Sequence, residues 1–246
     1  MGCLFIIATP IGNLQDMTPR AVATLRELDV LACEDTRHTG QLLNLLDIPR
    51  PPLLVSNHEH NERHMASKIV SWLDAGKKVG ICSDAGYPVI SDPGYPAVVA
   101  AIAAGHEVIA IPGASAVPLA LISSGLPCSS YTFKGFPPRK AGRRRSFLAM
   151  DSELPHTLVF YESPFRIGKL LADALEVYGD RQAAVCLELT KQFERVHRGT
   201  LATLAADFAD RKVKGEAVVV IAGNKPKFIA GHEDDEDDDG ATDADS

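Results

Sequence analysis

The sequence predicts an α/β protein made of two α/β domains of modest size. Short apolar runs alternate with longer segments whose apolar residues recur at helical spacing. In the first half this alternation is typical of mostly parallel strands joined by helical crossovers. Several of the runs end in Gly, Pro, Ser or Asp directly before a helix, which is where α/β proteins bind ligands. The length of 246 residues accommodates two such domains.

The first domain is predicted over residues 1–128. Its strands are expected at 4–8, 30–33, 79–82 and 108–111. Its helices are expected at 18–28, 39–46, 62–75 and 92–105, with an apolar helical segment after 116. Thr18-Pro19 and Asp92-Pro93 mark two helix starts, because Thr and Asp cap a helix and Pro suits its first turn.

The second domain is predicted over residues 129–224. Its strands are expected at 157–161, 183–189, 195–199 and 217–222, and its helices at 164–178 and 201–208. Residues 225–246 form an acidic tail. Its last sixteen positions hold nine acidic side chains and no Lys or Arg, so we expect it to be disordered.

The lengths of the apolar runs and the spacing of the Cys and His residues make several classes of protein unexpected. No apolar run approaches the roughly 20 residues that cross a bilayer, so no membrane association is expected. The five cysteines are scattered and form no CxxC pair, which indicates reduced thiols in a cytoplasmic protein. His58 and His60 lie two residues apart with no third ligand nearby, so no metal site is predicted.

Three strand ends in the first domain carry small, polar, turn-forming residues. They are the segments 8–13, 83–86 and 112–116. Their small side chains let a ligand approach the main chain, and Asp84 adds a carboxylate at the end of its strand. Together they predict a binding cleft.

Basic side chains are concentrated directly after Pro137-Pro138. Five of them fall within seven residues: Arg139, Lys140, Arg143, Arg144 and Arg145. A Pro-Pro step followed by a basic run indicates an exposed loop that binds phosphates, the alternative being an ordinary solvated linker. Aromatic residues make up only 6% of the chain, so we expect any affinity for nucleic acid to be salt-dependent and not dominated by stacking.

Charged residues in the second half gather at the ends of elements. Glu162 and Arg166 lie four apart at a helix entrance, where a weak surface ion pair is the alternative to a functional role. Glu188 and Lys191 lie in the connection between two strands, where they are either functional or ordinary surface charges.

Six segments in order resemble the tetrapyrrole methylase superfamily. They are 8–14, 34–37, 83–86 with 91–94, 112–116, 162–164 with Arg166, and 215–217. Within the superfamily they are most similar to the branch that methylates the 2′-hydroxyl of a ribose in 16S rRNA. The resemblance implies S-adenosyl-L-methionine bound in a cleft between two α/β domains, and a homodimer.

The resemblance also implies contacts and a substrate. Cofactor contacts are expected at Pro10, Gly12, Asp84, Tyr87, Ser115, Ala116, Tyr161 and Ala217. The implied substrate is a cytidine in the decoding region of 16S rRNA, either as naked rRNA or within the 30S subunit.

The chemistry of methyl transfer suggests four catalytic candidates. Displacement at a sulfonium methyl requires alignment of donor and acceptor, and a ribose hydroxyl needs a base or a cation that stabilises its developing charge. Glu162 and Glu188 are candidate bases, and Arg166 and Lys191 are candidate stabilisers.

Two other functions remain open. A tetrapyrrole C-methyltransferase would share the fold and the donor, and its anionic substrate would also suit a basic loop. A non-catalytic RNA-binding module would have no need of the small residues Gly86, Gly113 and Ala116, which this chain keeps.

Overall fold

The computed structural model describes residues 2–211 and 213–229, and the chain divides into two compact units. The first unit holds the chain through Leu119 together with Leu189–Phe193. The second holds Ala120–Glu188 and the chain from Glu194. The acidic stretch expected to be disordered lies, from residue 230 onward, outside the described residues.

The first unit contains a five-stranded sheet in which every pairing is parallel. Its strands are β1 (Cys3–Ile7), β2 (Val30–Cys33), β3 (Leu53–Ser56), β4 (Lys78–Cys82) and β5 (Glu107–Ile111), in the spatial order β3-β2-β4-β1-β5. Strand β3 was not predicted from the sequence, although it is a short apolar run that follows the turn-forming Pro51-Pro52.

Helices cover both faces of this sheet. They are α1 (Pro19–Arg26), α2 (Thr36–Leu45), α3 (Glu62–Asp74) and α4 (Tyr95–Ala103). A further helix, α5 (Ala116–Ser124), follows β5. Leu25 of α1 and Leu43 of α2 share one apolar core, while Ile69 of α3 and Ala101 of α4 share another. Burial on both faces explains why these strands are almost continuously apolar.

One helix start is as expected and another is not. The Thr18 hydroxyl accepts a hydrogen bond from the Ala21 N–H at 3.2 Å, and Pro19 follows it. The expectation that Asp92-Pro93 opens α4 is wrong, because α4 begins only at Tyr95. Ser91 has φ 64° and Gly94 has φ 131°, so the backbone between them cannot continue as a helix.

The second unit has a mixed sheet. Its strands are β6 (Tyr131–Phe133), β7 (Thr157–Glu162), β8 (Gln182–Leu187), β9 (Arg195–Thr200) and β10 (Ala217–Ile221), in the order β6-β7-β10-β8-β9. The pairing of β6 with β7 is parallel, and the other three pairings are antiparallel.

Three helices accompany this sheet: α6 (Ala141–Ala149), α7 (Ile167–Tyr178) and α8 (Leu201–Phe208). Each contributes to one apolar core, through Leu148, Leu170 and Phe208 respectively, which packs around Phe160 of β7. Helix α7 begins three residues later than expected, since Pro164 and Phe165 lie in a turn before it. Among the described residues, no helix has the length and apolar character to span a membrane.

Candidate functional site

The loops that follow β1 and β4 are fastened to each other. Thr9 and Gly86 exchange two main-chain hydrogen bonds, with N···O distances of 2.9 and 3.1 Å. The Thr9 hydroxyl also donates to the Ser83 carbonyl at 3.1 Å. Thr9 is buried, so these bonds form in a region shielded from water and hold the two strand ends side by side.

The loop after β5 joins the same group. The Gly113 N–H donates to the Tyr87 hydroxyl at 3.0 Å, and the Thr18 hydroxyl donates to the Pro112 carbonyl at 3.1 Å. A Cβ atom at position 113 would lie 2.7 Å from the Cβ of Ala8, so only glycine fits this approach without a shift. The three strand-end segments singled out in the sequence therefore meet at one edge of the sheet.

The topology of the sheet places a crevice at that edge. Strands β1 and β4 are neighbours, yet the chain leaves β1 toward β2 and leaves β4 toward β5, in opposite directions across the sheet. Because the two connections run in opposite directions, their helices α1 and α4 lie on opposite faces of the sheet. Such a pair of neighbouring strands leaves a crevice at their carboxyl ends, which is the usual ligand site of an open α/β sheet.

Carboxylates gather at this edge. The Asp84 Oδ1 accepts a hydrogen bond from the Asp35 N–H at 3.3 Å. Burial, reinforced by the neighbouring Glu34 and Asp84, raises the pKa of Asp92 to about 6. Burial and the nearby Asp84 also raise the pKa of Glu34. Like charges held this close create a negative potential that favours a positively charged ligand.

Asp92 makes the stability of the first unit depend on pH. The carboxyl binds its proton more tightly in the folded state, where its pKa is about 6, than at its ordinary value of 3.8. Stability therefore falls as pH rises between these two values, and the loss persists above them. We expect Asp92→Asn to be more stabilising, relative to wild type, at about pH 7.5 than at about pH 4.

This expectation is measured by urea unfolding at several pH values, followed by the fluorescence of Trp72, the single tryptophan, which lies in α3 of the first unit. Asp47→Asn is the matched control because Asp47 is exposed. A difference between Asp92→Asn and wild type that does not vary with pH would contradict the assignment.

Lys191 lies against the loop that follows β1. A Cβ built on Gly12 would overlap the Lys191 side chain and lie 2.8 Å from its Cε atom. The segment Leu189–Phe193 belongs to the first unit, although the residues on both sides of it belong to the second. A candidate stabiliser and a candidate cofactor residue, far apart in sequence, are thus in contact.

The remaining candidates of the first unit lie on the same three loops. Pro10 follows β1, and Ser115 and Ala116 lead into α5. All three are partly exposed, as are Asp84 and Tyr87, so a ligand has access to them.

The candidates of the second unit meet at one end of its sheet. Ala217 of β10 pairs with Glu162 of β7, and the next residue, Val218, pairs with Tyr161. Glu162 is 2% exposed and forms an ion pair with Arg166, and it accepts a hydrogen bond from the Ser163 N–H at 2.7 Å. Burial raises the pKa of Glu162 despite these partners. The local ion pair considered as the alternative is therefore present, but its carboxylate is buried and does not lie on the surface.

Glu188 is bound to the main chain at the same end of the sheet. Its Oε1 accepts a hydrogen bond from the Glu216 N–H at 2.9 Å, and its own N–H donates to the Glu216 carbonyl at 3.0 Å. A Cβ on Gly215, where φ is +91°, would overlap the Glu188 carboxyl group. These contacts give Glu188 a clear part in holding the start of β10.

The basic segment corrects the sequence prediction in two respects. Only Arg139 and Lys140 lie in a loop, because Arg143, Arg144 and Arg145 lie in the first two turns of α6. Arg144 is not available to a phosphate, since it is 3% exposed and its Nε donates to Asp173 at 2.7 Å. Arg145 also pairs with Asp173, at 3.1 Å, while Arg139, Lys140 and Arg143 are exposed.

The sequence could not reveal the burial of Arg144, because its partner lies 29 residues away on α7. Within residues 2–211 and 213–229, no group of three or more His, Cys, Asp or Glu side chains is arranged to hold a metal ion.

The chain matches the profile of a known protein family and is similar in sequence to several proteins of known name. A profile of the family described as Tetrapyrrole (Corrin/Porphyrin) Methylases matches residues 3–205. The chain is 47% identical over 226 residues to "Ribosomal RNA small subunit methyltransferase I" of Halalkalibacterium halodurans, covering 92% of this chain and 78% of the relative. It is 45% identical over 228 residues to the protein of that name in Synechocystis, covering 92% and 81%.

Solved structures agree on the fold. The methyltransferase CobJ superposes with a TM-score of 0.68 at 17% identity, covering 91% of this chain and 95% of that one. The uroporphyrin-III-C-methyltransferase from Thermus thermophilus superposes with a TM-score of 0.61 at 19% identity, covering 90% and 94%.

Proposed function

The chain belongs to the tetrapyrrole methylase family, and on this basis we propose that it is an S-adenosyl-L-methionine-dependent methyltransferase acting on 16S rRNA. The acceptor we propose is the ribose 2′-hydroxyl of a cytidine in the decoding region. The observation that carries the proposal is the 45–47% identity, over nine-tenths of the chain, to relatives named as methyltransferases of the small-subunit ribosomal RNA. We further propose a cytoplasmic homodimer.

The strand-end loops of the first unit fit the proposed methyl donor. When bound, S-adenosyl-L-methionine supplies a methyl group on a positively charged sulfur. Asp84, together with Glu34 and Asp92, gives this edge of the sheet the negative potential that such a cation favours. Gly113 allows the loop after β5 to pack against Ala8, and Tyr87 holds that loop in place.

The residues proposed to contact the donor include six on the strand-end loops of the first unit. Those of the first unit are Pro10, Gly12, Asp84, Tyr87, Ser115 and Ala116.

The acceptor hydroxyl needs help to lose its proton. Lys191 is the candidate that lies against the loop carrying Gly12, so its ammonium group is suited to stabilising negative charge that develops on a nearby oxygen. Glu162 has a raised pKa, which makes it a stronger base than an ordinary carboxylate, but its pairing with Arg166 opposes proton uptake. Glu188 is the weaker candidate base, because its Oε1 already binds the Glu216 N–H.

The exposed basic side chains support an RNA substrate. Arg139, Lys140 and Arg143 surround the start of α6. Contacts of Lys and Arg with phosphates supply most of the sequence-independent affinity of proteins for nucleic acids. Arg145 contributes less in this proposal because it pairs with Asp173 and Glu176.

A tetrapyrrole C-methyltransferase is the second candidate, because the solved structures that superpose on this chain include such enzymes. The two functions are separated by supplying S-adenosyl-L-methionine with a tritiated methyl group to 30S subunits, naked 16S rRNA and uroporphyrinogen in parallel. We expect tritium in rRNA, recovered after nuclease digestion as 2′-O-methylcytidine. Tritium in the tetrapyrrole alone would overturn the proposal.

The donor site itself is tested by Gly113→Ala. The added methyl group would lie 2.7 Å from the Ala8 Cβ, and relief of this contact moves the loop that Tyr87 holds. Overpacking of this kind costs roughly 1–3 kcal/mol. We expect the strained loop to bind S-adenosyl-L-methionine about tenfold more weakly.

Titration calorimetry measures this affinity. Gly142→Ala is the control, because a Cβ at that position of α6 meets nothing within 4 Å. Equal affinities of Gly113→Ala and Gly142→Ala would place the donor elsewhere.

A further inference from the structure

A cavity of about 570 Å³ lies wholly within the second unit. It is lined by Phe136, Arg139, Ser163, Phe165 and Arg166, together with the Pro137-Pro138 step. We call it the aromatic–basic pocket. Its volume falls within the roughly 300–1,000 Å³ typical of small-molecule sites, and it is large enough to admit one nucleotide.

Two phenylalanine rings at the pocket are exposed to an unusual degree. Phe165 is 78% exposed and Phe136 is 57% exposed, although large apolar side chains are normally buried. The Phe136 ring lies 5.5 Å from the ring of Tyr161, which in turn lies 4.8 Å from Phe133. The Phe136 ring is therefore supported from behind while more than half of its surface remains open.

Two arginines at the pocket supply positive charge. Within the described residues no salt bridge involves Arg139, which is exposed. Arg166 pairs with the buried Glu162, yet its Nη1 atom finds no hydrogen-bond partner among residues 2–211 and 213–229. A buried donor without a partner is costly, and an acceptor on a ligand would satisfy it.

The wall that carries Arg139 is held in place from inside the unit. The Nη1 atom of Arg144 donates to the Arg139 carbonyl at 3.1 Å and to the Pro138 carbonyl at 3.4 Å. Arg144 is itself fixed by Asp173. The buried arginine thus positions the pocket wall and does not touch RNA.

We infer that the aromatic–basic pocket binds one unstacked nucleotide of single-stranded RNA, its base stacked on Phe136 or Phe165 and its phosphate on Arg139 or Arg166. The inference rests on the proposed function, since it names where the RNA substrate is gripped. Exposed aromatic rings beside arginines are the combination by which proteins bind single-stranded nucleic acids. The positive charge favours a nucleotide over an apolar peptide as the occupant.

The test compares Phe165→Ala with Phe165→Tyr, which keeps a ring. Filter binding measures the dissociation constant for 16S rRNA and for 30S subunits, and a perfectly paired RNA duplex serves as a probe without unstacked bases. We expect Phe165→Ala to weaken binding to the rRNA target at least about fivefold, as loss of one stacked base does. Phe165→Tyr should bind the rRNA target within about twofold of wild type, and both Phe165 variants should bind the duplex within about twofold of wild type.

Met150→Ala is the matched control, because Met150 is 67% exposed in the same unit and does not line the pocket. Arg139→Ala should weaken binding and reduce the salt dependence by about one counterion, whereas Phe165→Ala should leave the salt dependence unchanged.

Two failures are distinguishable. Wild-type affinity for Phe165→Ala, in a protein that binds 16S rRNA or the 30S subunit, would overturn the pocket and leave the proposed function standing. If the wild-type protein binds neither target, the proposed function fails and the pocket fails with it. Titration with S-adenosyl-L-methionine, measured on the same variants, should be unchanged.

Discussion

Replacing Lys191 by Met is expected to lower the rate of methyl transfer in a single turnover by about 100-fold, as loss of one group that stabilises a developing oxyanion does. Met keeps most of the apolar stem that packs against Gly12, so the loop after β1 stays supported. The affinity for S-adenosyl-L-methionine should therefore change little while the rate falls. A substitution that lowers the rate but leaves the affinity for the donor unchanged has removed an interaction made only in the transition state.

Lys68→Met is the control, because Lys68 is an exposed residue of α3 in the same unit. Glu162→Gln is measured alongside to test the candidate base. Wild-type single-turnover rates for Lys191→Met would exclude Lys191 as a stabiliser, and wild-type rates for Glu162→Gln would exclude Glu162 as the base.

Replacing Arg144 by Ala is expected to lower the free energy of unfolding of the second unit by about 3 kcal/mol. The change leaves Asp173, which is 7% exposed, with Arg145 as its remaining ionic partner. It also removes the donor to the carbonyls of Pro138 and Arg139. Breaking a buried pair from one side costs more than the pair contributes, because the other charge stays buried.

Urea unfolding followed by far-UV circular dichroism measures this loss. The fluorescence of Trp72 is unsuitable because it reports on the first unit. Arg143→Ala, on the exposed face of the same helix, should change stability by less than about 0.5 kcal/mol and should weaken RNA binding instead. The reverse result, with Arg144→Ala stable but impaired in RNA binding, would restore Arg144 as a phosphate ligand.

Structural features that depend only on residues next to one another in the sequence were predictable. Four of the five strands of the first unit were predicted as short apolar runs, and Thr18-Pro19 predicts the start of α1 because Thr caps a helix and Pro suits its first turn. The segments 83–86 and 112–116 were recognisable because small and polar residues directly follow apolar runs there, as they do at the ligand-binding strand ends of α/β proteins.

Features that depend on distant partners were not predictable. The five basic residues after Pro138 indicate a solvated loop, yet Asp173 on α7 draws Arg144 into a helix packed on the core. The contact between Lys191 and Gly12 likewise joins two remote parts of the chain. Glu188 looked available as a base because no local signal shows that the Glu216 N–H binds its carboxylate.

A crystal structure with S-adenosylhomocysteine, the demethylated product of the proposed donor, tests the central claim most directly. We predict electron density for this ligand against the loops that follow β1, β4 and β5, with Asp84 and the main chain near Gly113 within contact distance. Density for the ligand at full occupancy elsewhere on the protein, with these three loops untouched, would contradict the account.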